Sequence, residues 1–72
     1  MSQVPDEVMK TAQEMFAAAA NLPEFPEDDW QGIGGEWDLN LYVDGDGKNC
    51  ATLYAVVNGN TDTEVGYPVT PA

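Results

Sequence analysis

Carboxylates are the side chains most able to do chemistry in this sequence. Aspartate and glutamate supply 13 of its 72 residues, against 2 lysines, no histidine and a single cysteine. Two carboxyl groups roughly 5–9.5 Å apart can serve as the acid and base of a glycosidase. Glu36 and Asp38 are two residues apart on a predicted strand, which places them about 6.6–6.8 Å apart. Such spacings arise by chance among so many acids, and the predicted domain is too small to wall a substrate pocket of roughly 300 Å³. We therefore expect no enzymatic activity.

Two short motifs have simpler interpretations than ligand binding. Segment 44–49 resembles the opening of a calcium-binding loop, but position 12 of such a loop needs a glutamate and is Ala55 here. A hairpin turn without a metal is therefore predicted. The glycines of segment 32–35 do not match the spacing of a phosphate-binding loop, so they are predicted to belong to a flexible connector. No cofactor is expected.

Cys50 is the only cysteine, so no internal disulfide can form. Because the chain has no histidine, the usual base for a cysteine nucleophile is missing. Cys50 lies in an apolar, strand-like run and is predicted to be a reduced packing residue. No basic or long apolar segment stands near the N-terminus, and together these features predict a cytoplasmic location.

The formal net charge of −11 is the most unusual property of the chain. Self-repulsion of this size opposes compaction and weakens with salt, so we expect the charge to have a use. Nucleic acid and anionic membranes would repel such a surface and are not expected as direct partners. The sequence instead favours a basic protein surface, such as that of a nucleic-acid-binding enzyme or complex.

The N-terminal third predicts one helix over residues 5–22. Apolar residues recur at three- and four-residue steps from Val8 to Leu22, and Pro23 ends the pattern. Residues 23–35 contain two prolines and three glycines and are predicted to be an irregular connector, with some of its apolar side chains tucked onto the core.

Alternating apolar residues predict strands over 36–43 and 49–57. The turn between them can hold two or three residues. A three-residue turn with Gly47 in the left-handed conformation places Leu39 opposite Leu53. We prefer that register because it keeps the larger apolar side chains together.

A third strand is predicted over about 63–69, with Val65, Tyr67 and Val69 on its inner face and Pro68 restricting it to the sheet edge. The predicted fold class is α+β, with one N-terminal helix packed on a three-stranded antiparallel β-meander in the order α-β-β-β. The whole chain forms one small acidic domain. An exposed edge and a small core allow a homodimer.

A candidate binding surface combines the clustered acids with two tyrosines on the outer sheet face. An aromatic patch rimmed by charge is typical of a protein interface. The alternative, that the tyrosines only cover a thin sheet, is about equally favoured. The predicted partner-binding residues are Glu24, Glu27, Asp28, Asp29, Glu36, Asp38, Tyr42, Asp44, Asp46, Tyr54, Asp62 and Glu64.

Three functions fit these features. The preferred one is a non-catalytic inhibitor of the anti-CRISPR or anti-restriction type that phages and mobile elements encode, which blocks a basic nucleic-acid-binding surface and can do so by DNA mimicry. Mimicry requires the carboxylates to gather on one patch. The second is an acidic adaptor that docks through the face of Tyr42 and Tyr54. The third is an ordinary halophilic domain, whose charge is screened by salt.

Overall fold

A computed structural model describes residues 3–71 as one helix followed by an antiparallel sheet. The strand order is β1-β2-β3, with β4 and β5 both paired to the other edge of β3. The predicted α+β arrangement, with its N-terminal helix, is confirmed. The elements are α1 Asp6–Ala20, β1 Asp29–Ile33, β2 Trp37–Val43, β3 Asn49–Val57, β4 Asn60–Thr61 and β5 Tyr67–Pro68.

Helix α1 begins after Pro5, whose carbonyl oxygen accepts the first backbone bonds, and carries two acids in its first turn. Negative charge there favours the positive end of the helix dipole. The helix ends at Ala20, two residues before the predicted limit, because Asn21 leaves the helix as its C-cap. Its buried residues are Ala12, Phe16 and Ala19, and these four- and three-residue steps form the stripe that faces the sheet.

The core lies between α1 and one face of the sheet. Leu39, Leu41 and Leu53 are fully buried at its centre. Phe16 of the helix packs edge-to-face on Phe25, with ring centroids 6.1 Å apart. Phe25 therefore joins the core from the segment that precedes β1, as the sequence predicts for some apolar residues of this segment.

The central hairpin has the predicted register. Leu39 pairs with Leu53 and Leu41 with Ala51. Gly47 has a φ of 78°, and its N–H bonds to the carbonyl oxygen of Asp44 at 3.0 Å. This register confirms the preference for a three-residue turn. A shift of one residue would have moved every buried side chain of one strand to solvent.

The connector predicted over 23–35 is wrong for its second half, because residues 29–33 form strand β1 at the sheet edge. Gly34 and Gly35 have φ values of 59° and 77°, which glycine adopts without steric cost. They close a tight hairpin that pairs Ile33 with Trp37. The glycines taken as signs of flexibility therefore belong to the turn and leave the strand before them intact.

The third strand predicted over 63–69 is also wrong in its extent. The chain turns back at Asn58 and Gly59, so that pairing with β3 begins already at Asn60 and Thr61. It then leaves the sheet over residues 62–66 and returns as β5.

Two side chains of that region keep the predicted inner position and one does not. Val69 is buried and Tyr67 packs on Trp37 with ring centroids 5.9 Å apart. Val65 is 52% exposed, contrary to the prediction. The N–H of Glu64 bonds to the Asp62 carboxylate at 3.1 Å, and this local bond favours a turn where a continuous strand was expected.

Leucine truncation at a buried and at an exposed position tests this core. We expect Leu39→Ala to lower the free energy of unfolding by about 2–5 kcal/mol, because it opens a cavity at a fully buried site. Leu22→Ala removes the same atoms from a side chain that is 53% exposed, so we expect less than about 1 kcal/mol. Urea denaturation followed by circular dichroism measures both. Equal losses in the two variants would contradict the described core.

Candidate functional site

The strand arrangement places six of the ten predicted acidic residues at one end of the sheet. Because β1 runs antiparallel to β2, Asp29 lies opposite Leu41, close to the turn between β2 and β3. A groove of about 660 Å³ separates segment 24–27 from the hairpin residues Val43, Gly47 and Asn49. Its volume exceeds the roughly 300 Å³ expected to be beyond a domain of this size, so that expectation about volume is wrong, but the groove is open to solvent on one side. We call this region the groove end and define it by Glu24, Glu27, Asp28, Asp29, Asp44 and Asp46.

The other predicted acids lie toward the opposite end of the sheet. Glu36 belongs to the turn between β1 and β2, Asp38 lies near the start of β2, and Asp62 and Glu64 follow β4. We call these four residues the far end. Strand β2 is about 20 Å long at ~3.3 Å per residue and sets the distance between most members of the two ends. The nearest members, Asp29 and Asp38, are three residue steps apart along the strands, or about 10 Å. The structure therefore places the carboxylates in two groups, whereas phosphate mimicry requires a single patch.

Asp44 holds the hairpin turn of the groove end together. Its Oδ1 accepts the backbone N–H groups of Lys48 and Asp46, each at 2.9 Å. These bonds, first that from Lys48, hold the pKa of the Asp44 carboxyl below its ordinary value. The thiol of Cys50 points at the other carboxylate oxygen, 3.6 Å away. Asp44 thus has a structural task in addition to its charge.

Other groove-end acids face solvent and do not accept hydrogen bonds of this kind. Within residues 3–71, the exposed carboxylates of Glu24, Glu27 and Asp46 accept no hydrogen bond and form no ion pair. Asp29 differs, because its Oδ2 accepts a bond from the Gln31 amide at 2.9 Å. Glu24 and Glu27 line the groove and Asp46 lies in the adjoining turn. These three carboxylates can take up cationic side chains from outside the molecule.

The outer face of the sheet, opposite the helix, carries both predicted tyrosines. The hydroxyls of Tyr42 and Thr52 lie 3.3 Å apart, within hydrogen-bonding distance. Tyr54 packs against Trp30, with ring centroids 5.4 Å apart and planes tilted by 39°. Both tyrosines are half-buried, whereas Trp30 is 49% exposed.

Trp30 was missed as a candidate because strand β1 was not predicted. The sequence held a partial signal, since Gly34 and Gly35 separate two short runs that each contain a tryptophan and an aliphatic residue. A two-residue Gly-Gly turn would have put Trp30 opposite Leu39 on the inner face. The three-residue turn 34–36 pairs Trp30 with Asn40 and places it on the same face as Tyr54.

Segment 62–66 comes close to this face through Gly66. A Cβ built on Gly66 would lie 2.7 Å from Cγ2 of Thr52 and 3.1 Å from the Tyr54 ring. Thr52 is only 8% exposed although it lies on the outer face. The absence of a side chain at position 66 therefore lets the backbone lie directly against this part of the sheet.

No family model, no curated protein and no solved structure matches the chain. Over residues 3–71 no helix is both long and apolar enough to cross a bilayer. In the same residues, no three side chains among the acids and Cys50 are grouped so that they could hold a metal ion.

The pH dependence of stability tests the role of Asp44. Its pKa is lowered in the folded state, so its contribution is complete above the unfolded value of about 3.9 and is lost as the pH falls through the lower folded value. We expect Asp44→Asn to lower the melting temperature at pH 7, and the difference from wild type to shrink below about pH 4. Asp46→Asn removes an equal charge from the same turn and is the control. A loss no larger in Asp44→Asn than in this control would argue against the bonds.

The close approach at Gly66 is tested by adding one methyl group. We expect Gly66→Ala to destabilise the protein by about 1–3 kcal/mol, because the new atom overlaps Thr52, a stiff β-branched side chain. Gly45→Ala is the control, since a Cβ there has nothing within 4 Å and the φ is not left-handed. Thermal unfolding measures both. Equal stability of the two variants would show that segment 62–66 does not lie against the sheet.

Proposed function

We propose that the protein is a non-catalytic inhibitor whose groove end docks onto the basic surface of a nucleic-acid-handling enzyme, such as a CRISPR or restriction complex. The observation that carries the proposal is the presence of six carboxylates at one end of the sheet, where Glu24 and Glu27 line a groove, in a chain with a net charge of −11. Lys48 is the one basic residue of the adjoining hairpin. A surface of this kind is complementary to the lysines and arginines that bind phosphates.

Electrostatic complementarity would act at two stages of binding. At long range, a strongly negative protein is steered toward a positive groove, which raises the association rate. At contact, exposed carboxylates such as those of Glu24, Glu27 and Asp46 accept charge-assisted hydrogen bonds from arginine and lysine. These three side chains have no internal partners to give up, so binding requires no rearrangement of the domain.

The split into two acidic ends favours one form of this inhibition. Most members of the two ends lie about 20 Å apart, a length over which one DNA strand carries about six phosphates. Two charge groups over that length do not reproduce a continuous phosphate ladder. Contact with basic residues at the rims of a nucleic-acid groove, which excludes the nucleic acid by occupying its path, fits this spacing better than mimicry.

An acidic adaptor is the second candidate. The observation that favours it is the outer face, where Trp30 is 49% exposed beside Tyr54. An adaptor that docks there loses binding on Tyr54→Ala and responds little to salt. A halophilic domain, the third class, would unfold at low salt and fold in molar salt.

Displacement of DNA from purified CRISPR and restriction complexes tests the proposal, with labelled duplex and fluorescence anisotropy. We expect the wild-type chain to displace the duplex, with an apparent affinity that falls steeply as salt rises. A groove-end variant carries Glu24→Gln, Glu27→Gln, Asp28→Asn and Asp46→Asn. We expect it to lose at least about tenfold in affinity, or ~1.4 kcal/mol.

A version of the groove-end variant that keeps Asp28 loses three charges. The matched control loses three charges outside both ends, through Asp6→Asn, Glu7→Gln and Glu14→Gln. We expect it to stay within about threefold of wild type, since only the general field of the protein is reduced. Equal losses in the two variants would mean that charge acts without regard to position, and the groove end would then not be the binding surface. No displacement from any complex in the panel would remove the inhibitor as a class.

A further inference from the structure

The outer face of the sheet presents an aromatic pair beside a carboxylate. Trp30 lies on the edge strand β1 and packs against Tyr54 of β3, across strand β2. Trp30 remains 49% exposed, so much of its surface is free to take a further contact. Asp38 lies on the intervening strand β2, directly opposite Tyr54 in the register.

Asp38 keeps one carboxylate oxygen engaged and presents the other toward Gly32. Its Oδ2 accepts a hydrogen bond from the hydroxyl of Thr61, which fixes the orientation of the carboxylate. Its Oδ1 lies 3.9 Å from the point where a Cβ on Gly32 would stand, and position 32 has no side chain to fill this space. Gly32 is the partner of Asp38 on β1. No side chain at position 32 therefore covers the carboxylate, and Trp30 lies diagonally across from it in the register.

We propose that Trp30, Tyr54 and Asp38 form a binding site for one arginine side chain of the basic partner. A planar guanidinium can stack on the exposed ring of Trp30 and at the same time donate a hydrogen bond to Oδ1 of Asp38. The inference rests on the proposed function, because the arginine belongs to the basic surface that the groove end meets. The site adds one specific arginine contact to an interaction that otherwise depends on electrostatic attraction between the two surfaces.

Charge complementarity selects this occupant over the other candidates for the face. A second copy of the chain would bring another net charge of −11 against the same surface. An apolar partner segment would leave the Asp38 carboxylate desolvated without a partner, which is costly. A lysine supplies the charge, but its compact and strongly hydrated ammonium group lacks the flat surface that stacks on a ring.

The test uses a capped tri-arginine peptide and a capped tri-lysine peptide of equal charge. Binding is followed by nuclear magnetic resonance at about 0.15 M salt, where exposed charges are largely screened. The indole N–H of Trp30 reports on the site, and that of Trp37, which packs on Tyr67 on the other face, is the internal reference. We expect tri-arginine to shift the Trp30 signal and to bind at least about threefold more tightly than tri-lysine.

Two variants test the two parts of the site, and a third is a control elsewhere on the surface. Trp30→Leu removes the stacking surface and should abolish the preference for arginine. Asp38→Asn keeps an acceptor for Thr61 but removes one charge, and should weaken tri-arginine binding by at least about threefold. Glu14→Gln removes an equal charge from the exposed face of the helix and should change binding by less than about 1.5-fold.

Folding is checked by the dispersion of the amide spectrum of each variant. If Asp38→Asn does not fold, Gly32→Ala replaces it, because the added methyl group narrows the space beside Oδ1 at an ordinary contact distance of 3.9 Å. That variant should also bind tri-arginine more weakly than wild type. Unchanged binding in the variant that folds would overturn the site.

The outcomes separate this site from the proposed function. Equal affinity for the two peptides, or an unmoved Trp30 signal, overturns the arginine site whether or not the protein displaces DNA from its targets. Loss of the arginine preference in Trp30→Leu, with groove-end binding intact, supports the site. A shift of the Trp30 signal in a wild-type chain that displaces DNA from no complex supports the site and assigns it a partner other than the proposed one.

Discussion

The pairing of β2 with β3 depends on one turn, and the faces of both strands depend on that pairing. Asp44 accepts two backbone N–H groups across the turn, and Gly47 takes the left-handed conformation that a three-residue loop needs. A register shifted by one residue would exchange the buried leucines for the polar and aromatic side chains of the outer face. The core, the outer aromatic pair and the position of the groove all follow from this local arrangement of hydrogen bonds.

Charge repulsion opposes this fold in addition to the loss of conformational entropy. A net charge of −11 on a domain with a radius of gyration of 11.7 Å produces self-repulsion throughout the molecule. Strand β2 keeps most members of the groove end and the far end about 20 Å apart, which is more than a Debye length at physiological salt. The arrangement therefore lowers repulsion between the two groups and retains a high density of charge within each. A partner with matching positive charge would gain most at these two places.

The sequence allows the central hairpin, the helix and the two sheet faces to be predicted because each depends on local or periodic signals. The alternation around Leu39 and the Asp-Gly repeat of the turn are enough to choose the register. Strand β1 could not be recognised in the same way, because three glycines and two prolines in 23–35 resemble a linker. Only the pairing of Ile33 with Trp37 distinguishes a strand from a linker in this segment, and that pairing is a property of the folded chain.

The position of the acids also depends on strand β1. The cluster from Glu24 to Asp38 is contiguous in sequence, and a connector would have kept it together. Strand β1 instead carries the chain from one end of the sheet to the other within five residues, so that the cluster is divided. The candidate surface was thus predictable in composition but not in shape, and Trp30 stayed unrecognised for the same reason.

The free edge of strand β1 has a consequence for the behaviour of the protein in acid. Within residues 3–71 its backbone groups on that side have no partner strand, and such edges invite pairing between molecules. The segment Asp29–Ile33 holds no lysine or proline, the residues that commonly blunt an edge, so mutual repulsion of the molecules is the protection that remains. That protection fades near the isoelectric point of about 4.1. Lowering the pH toward this value would then allow the β1 edges of different molecules to pair and the protein to precipitate, even while the domain itself remains folded.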